Sequence, residues 1–121
     1  MEFIASGEIR TLSNPGVASR QLLNPDNSSS QRITLTEVHL SADASQPPHT
    51  HDASEQIWYA LRGRGTLLLA GDLRKPFCAG DVVRFGEGEV HGLLNDSEHE
   101  FVYLSVTSPP IHFGYAYQKQ E

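Results

Sequence analysis

Three of the six histidines in this 121-residue chain are spaced so that they could share one metal ion. His49 and His51 are separated only by Thr50, so on a strand both imidazoles leave the same face. Glu55 and Gln56 follow shortly after, and either could add an oxygen. His91 stands in a separate segment that opens with Gly86-Glu87-Gly88, and a closed sheet can bring it opposite the first pair. Three neutral imidazole nitrogens and one oxygen suit Fe, Mn, Ni, Zn or Cu better than Ca or Mg. Such an ion, with one or two positions open, binds an oxygen-rich small molecule and stabilises charge developing on it. His39, His99 and His112 share no such spacing and are read as surface or strand-end residues.

Short strands are the elements that would have to position these side chains. From Ile33 onward the chain runs in short stretches rich in β-branched, aliphatic and aromatic residues, at 33–40, 49–51, 57–61, 66–70, 81–85, 91–94 and 101–106. Turn chemistry divides them, as at Gln46-Pro47-Pro48, Gly63-Arg64-Gly65, Ala79-Gly80 and Asn95-Asp96-Ser97. No window keeps a helical apolar stripe for three turns, so the expectation is an all-β sandwich, jelly roll or barrel. Residues 13–30 are dominated by Ser, Asn, Pro and Gly, which predicts a peripheral arm or long loop around a short segment at 20–23. Late in the chain, Phe113, Tyr115 and Tyr117 alternate and predict an extra strand.

The length fits one domain. Fifteen acidic against nine basic residues give a net charge of −6, with no Lys/Arg cluster to track a phosphate backbone, so nucleic acid is not an expected partner. The start, Met1-Glu2-Phe3-Ile4-Ala5, reads neither as a secretory segment nor as a membrane span, and a cytoplasmic location with no membrane partner is expected. Cys78 is the single cysteine and is read as a small buried apolar side chain.

The run Gly80-Asp81-Val82-Val83-Arg84-Phe85-Gly86-Glu87-Gly88-Glu89-Val90-His91-Gly92-Leu93-Leu94-Asn95 closely resembles the second signature motif of the cupin family. The stretch from Asp43 through His49-Thr50-His51 and Glu55-Gln56 to Gly63 resembles the first motif, and the small single-domain cupins are the nearest type. Two motif positions differ, Asp43 standing for a glycine and Gly86 for a proline. The resemblance implies a double-stranded β-helix, a jelly-roll barrel, with residues 1–30 as an arm and peripheral strand, 31–108 as the barrel and 109–121 as a terminal strand or tail. It implies one divalent transition metal, Fe, Mn, Ni or Zn, on His49, His51, His91 and a fourth ligand. Counting back seven from the motif glycine, Gly63, gives Gln56, whereas counting forward from His51 gives Glu55. Neighbouring strand residues face opposite ways, so only one can reach the ion. Gln56 is preferred because the turn at Asp52-Ala53-Ser54 can absorb a residue more easily than the strand leading to Gly63. A neutral amide there would leave the metal charge uncompensated, and Trp58 would then face inward with it. The implied function is a metal-dependent enzyme on a small oxygen-rich substrate: foremost a dioxygenase, next an isomerase or lyase on a sugar-acid-like compound. The alternative is a non-catalytic small-molecule-binding module. Small cupins commonly pair, so a homodimer is expected.

Overall fold

Along most strands residues alternate between an inner and an outer face, and that period of two builds two facing sheets. The computed structural model describes residues 1–111 and 119–120. In chain order the strands are β1 (Arg10–Asn14), β2 (Val17–Leu23), β3 (Thr34–Leu40), β4 (Ser45–His49), β5 (Glu55–Arg62), β6 (Arg64–Leu69), β7 (Arg74–Cys78), β8 (Val82–Phe85), β9 (His91–Leu94), β10 (Phe101–Ser108) and β11 (Lys119–Gln120). The larger sheet has the order β11-β1-β2-β3-β10-β5-β8 and the smaller β4-β9-β6-β7, with every pairing antiparallel. This is the double-stranded β-helix expected from the sequence.

Inward-facing residues of the larger sheet line up in rows because the strand registers coincide. Val17, Leu40 and Phe101 form one row, and Ser19, Val38, Tyr103 and Ala60 the next. Gln21, Thr36, Ser105 and Trp58 follow, and Thr34, Thr107, Gln56 and Phe85 make the last. The first rows pack with Leu67, Phe77 and Leu93 of the smaller sheet into the apolar core. Outward on β5, Ile57, Tyr59 and Leu61 are exposed. On the outer face of the larger sheet, Arg20 pairs with Glu37 and Arg62 with Glu100, and His39 hydrogen-bonds both carboxylates, so His39 is a surface histidine. Its hydrogen bonds, more than the neighbouring arginines, hold the Glu37 and Glu100 carboxyls below the usual carboxylate range.

Three local expectations change. Residues 10–23 form a regular hairpin in the larger sheet rather than a loop. The inward residues of β2 are Val17, Ser19 and Gln21, and polar residues facing a polar interior hide a strand's alternation. β7 was not foreseen, because Arg74-Lys75-Pro76 carries charge and a proline; both suit the sheet edge where β7 lies. Cys78 is half-buried rather than buried. The strand expected to carry Phe113, Tyr115 and Tyr117, and His112 beside it, lie outside the described residues. Among the described residues no helix is long and apolar enough to cross a membrane.

Candidate metal centre

His49 closes β4 and stands directly across the ladder from His91, the first residue of β9. An irregularity between Gln46 and His49 makes that register possible: Pro47 and Pro48 break the regular pairing, and the extra residue re-aims the strand end. The bulge lies against Gly92, where an added Cβ would meet the Gln46 carbonyl oxygen at 2.7 Å and the Pro48 nitrogen at 2.8 Å. Only a glycine next to His91 lets the two backbones approach so closely. His51 is not on a strand, as its spacing from His49 had implied; it lies beyond β4, and its carbonyl accepts the Gly88 N–H at 2.9 Å. That bond ties it to the turn leading into His91.

Ring centroids of His49 and His91 are 4.3 Å apart, those of His49 and His51 4.9 Å, and those of His51 and His91 5.1 Å. One ligand nitrogen from each ring lies within 4.8 Å of the other two. The Nδ1–H of His49 donates to the Pro47 carbonyl and that of His91 to the Glu89 carbonyl, each at 2.9 Å. A carbonyl can only accept, so each neutral ring carries its proton on Nδ1 and presents the Nε2 lone pair. His91 Nε2 is buried without a hydrogen-bond partner, an arrangement a metal ion would satisfy. Phe85 stacks on the His91 ring at 4.7 Å, and Trp58 meets it edge-on at 5.5 Å. This burial, partly opposed by the Glu89 carbonyl, lowers the His91 pKa to about 4. Burial, with His49 nearby, also lowers that of His51. The His51 and His91 rings are therefore neutral at pH 7, the form that binds metal.

The cupin domain family (Cupin_2) matches residues 36–107, which include all three histidines. The chain belongs to the cupin family. Among solved structures it is similar to KdgF from Halomonas sp., with 20% identity and a TM-score of 0.78 over 92% of this chain and 96% of that one. It is similar to the polyketide cyclase RemF from Streptomyces resistomycificus, at 20% identity and a TM-score of 0.79 over 100% and 84%. A predicted oxalate decarboxylase from Thermotoga maritima is 25% identical, with a TM-score of 0.73 over 88% and 98%. None of the curated proteins matches. As many as 467 chains of solved structures share the fold, so likeness of shape selects no reaction.

Of this cupin's two candidates for a fourth ligand, the strand alternation turns them apart. Gln56 is buried and lines the cavity with His49 and His51, whereas Glu55 points outward and meets Arg84 at 3.3 Å. The Gln56 amide is oriented by two partners: its Oε1 accepts the Trp58 indole N–H at 3.1 Å, and its Nε2 donates to Thr107 Oγ1 at 3.0 Å. Indole can only donate, which fixes the amide oxygen on the Trp58 side. The sequence foresaw that Trp58 would face inward but not that it would anchor Gln56. The buried Asn95 closes a turn, donating to the Leu40 and His99 carbonyls. The cavity of this cupin, about 390 Å³, has the size of a small-molecule site.

Proposed function

We propose that this cupin is a metal-dependent enzyme that acts on a small oxygen-rich molecule by isomerisation or elimination, with one divalent transition metal on His49, His51, His91 and Gln56. The observation that carries the reading is the convergence of three imidazoles, two of them lining the cavity, with two Nδ1 protons committed to backbone carbonyls. Bound there, the ion would act as a Lewis acid, polarising a substrate carboxylate, enolate or hydroxyl oxygen. His49, exposed, and His91, fully buried, set the site at the rim, where a substrate can enter while one side stays dry. Phe85 and Trp58 exclude water from the His91 side, and Trp58 with Thr107 holds the Gln56 amide in one orientation. An all-neutral donor set leaves the positive charge uncompensated, which favours an anionic substrate. Redox-neutral chemistry needs no second co-substrate, and the isomerase and cyclase named among proteins of this shape are consistent with it.

Elemental analysis of wild type beside His91→Ala, Gln56→Ala and Glu55→Ala at matched concentration tests the metal. The expected result is close to one transition metal per chain, lost from His91→Ala, weakened in Gln56→Ala and kept in Glu55→Ala. A wild type that stays metal-free after incubation with Fe, Mn, Ni and Zn would overturn the reading. Loss of metal from Glu55→Ala alone of the two would move the fourth ligand to Glu55. Once a substrate is found, equal turnover with and without air is expected, and turnover that needs O2 would move the reaction to dioxygenation. Stoichiometric binding that leaves every ligand unchanged would make the protein a binding module.

A further inference from the structure

We infer that Tyr103 is a positioning residue for the metal: its hydroxyl, acting through Gln46, holds the end of β4 so that His49 meets the ion. The inference rests on the metal reading above and concerns how firmly the ion is held. His49 and His91 face each other across the ladder but are supported unequally. β9, which carries His91, lies inside the smaller sheet and pairs with β4 on one side and β6 on the other. β4 lies at the edge, and among the described residues it pairs with β9 alone. Its ladder is also interrupted just before His49, since Pro47 and Pro48 have no N–H to donate and the register shifts between Gln46 and His49. A ligand on such a strand end needs a second tether.

That tether comes from the opposite sheet. Tyr103 Oη on β10 donates to Gln46 Oε1 on β4 at 2.6 Å, at the short end of the usual range, and both residues line the cavity. Gln46 directly precedes Pro47, whose carbonyl accepts the Nδ1–H of His49. Phenol, amide, backbone and imidazole thus form one continuous line from the larger sheet to the His49 ring. The start of that line is firmly packed: Tyr103 is 2% exposed, and its ring meets Trp58 at 4.7 Å and Phe101 at 5.9 Å. A phenylalanine would fill the same apolar space, so what the tyrosine adds is the reach of its hydroxyl. Groups that orient a metal ligand from one step away govern the affinity of the site for its ion.

The test measures Ni2+ affinity by competition with a chelator, and the visible absorption of the Co2+-loaded protein as a report on ligand geometry. The proteins are wild type, Tyr103→Phe, Gln46→Leu, the double variant, and Tyr59→Phe, which changes an exposed tyrosine on the outer face. Tyr103→Phe and Gln46→Leu are each expected to weaken Ni2+ binding by about tenfold or more and to alter the Co2+ absorption. The double variant should be no weaker than the weaker single one, because each change breaks the same bond. Tyr59→Phe should match wild type in both measurements. Circular dichroism identifies a variant that fails to fold, and Gln46→Leu, at the sheet edge, then carries the comparison. Unchanged affinity and absorption in the folded variants would overturn the inference while the metal stands. So would losses that multiply in the double variant, since the two residues would then act separately. A wild type that binds neither ion would instead remove the metal reading, and this one with it.

Discussion

The two ends of the barrel interior are made from the same strands and do opposite things. Read inward along β10, the side chains run Phe101, Tyr103, Ser105, Thr107; along β3 they run Leu40, Val38, Thr36, Thr34; along β5, Ala60, Trp58, Gln56. Each strand passes from apolar to polar toward the same end. At the first end Leu40, Leu93 and Phe101 are wholly buried, and burial there stabilises the fold at about 25 cal/mol for each Å² of apolar surface. At the other end, Phe85 apart, the burial is of hydroxyls, amides and imidazoles, which contributes little to stability and leaves groups to meet a ligand. The site is thus built where the core gives up apolar residues, and stability and recognition divide along the barrel axis.

The largest expected effect breaks the apolar end. Phe101→Ala should destabilise by about 3–5 kcal/mol in denaturant unfolding, while the fraction still folded keeps its metal. A comparable effect comes from pH and belongs to the other end. His91 has its pKa lowered from 6.5 to about 4 by burial, so the folded state binds fewer protons than the unfolded state between those values. Stability of the metal-free protein is therefore complete above pH 6.5 and falls as pH drops toward 4, by up to about 3 kcal/mol. Denaturant unfolding of wild type and His91→Gln across that range should show the fall in the first and a shallower one in the second. A parallel fall in both would mean His91 is not the group responsible.

Gly92→Ala should rank next, at about 1–3 kcal/mol, because its methyl must push the β4 bulge away. It should also lower metal affinity, since His49 moves with that bulge. Unaltered metal content would show that the close approach at Gly92 serves packing alone. The smallest effect on stability is expected from Thr36→Val, below about 1 kcal/mol, because a similar shape replaces a hydroxyl in a polar row. A cost as large as that of Phe101→Ala would erase the division between the two ends.

The division also explains what could be read in the chain beforehand. His91 and the pair His49 and His51 were legible because their types are rare and their spacing matches two motifs. Most of the strands carrying the apolar rows were legible through alternation and turn residues. The hairpin of β1 and β2 was hidden because Ser19 and Gln21 face inward, so the polar end erased the usual sign of a strand. The bulge at Pro47 and Pro48 was read as a break, although it is what places His49 opposite His91. Asp43, in place of a glycine, does stand at a left-handed φ of 64°, which an aspartate tolerates. The bonds from Trp58 and to Thr107 that orient Gln56 depend on strand register, which single residues do not reveal.

Trp58 is the single tryptophan of the chain and lies at the boundary between the two ends. Its ring meets Tyr103 at 4.7 Å and His91 at 5.5 Å, and its N–H is bonded to Gln56. All indole fluorescence of this protein therefore arises from one buried place that touches both core and site. Filling of the site, protonation of His91 and loosening of the core each change that one signal. The molecule carries its own optical reporter, and no label is needed to follow either end.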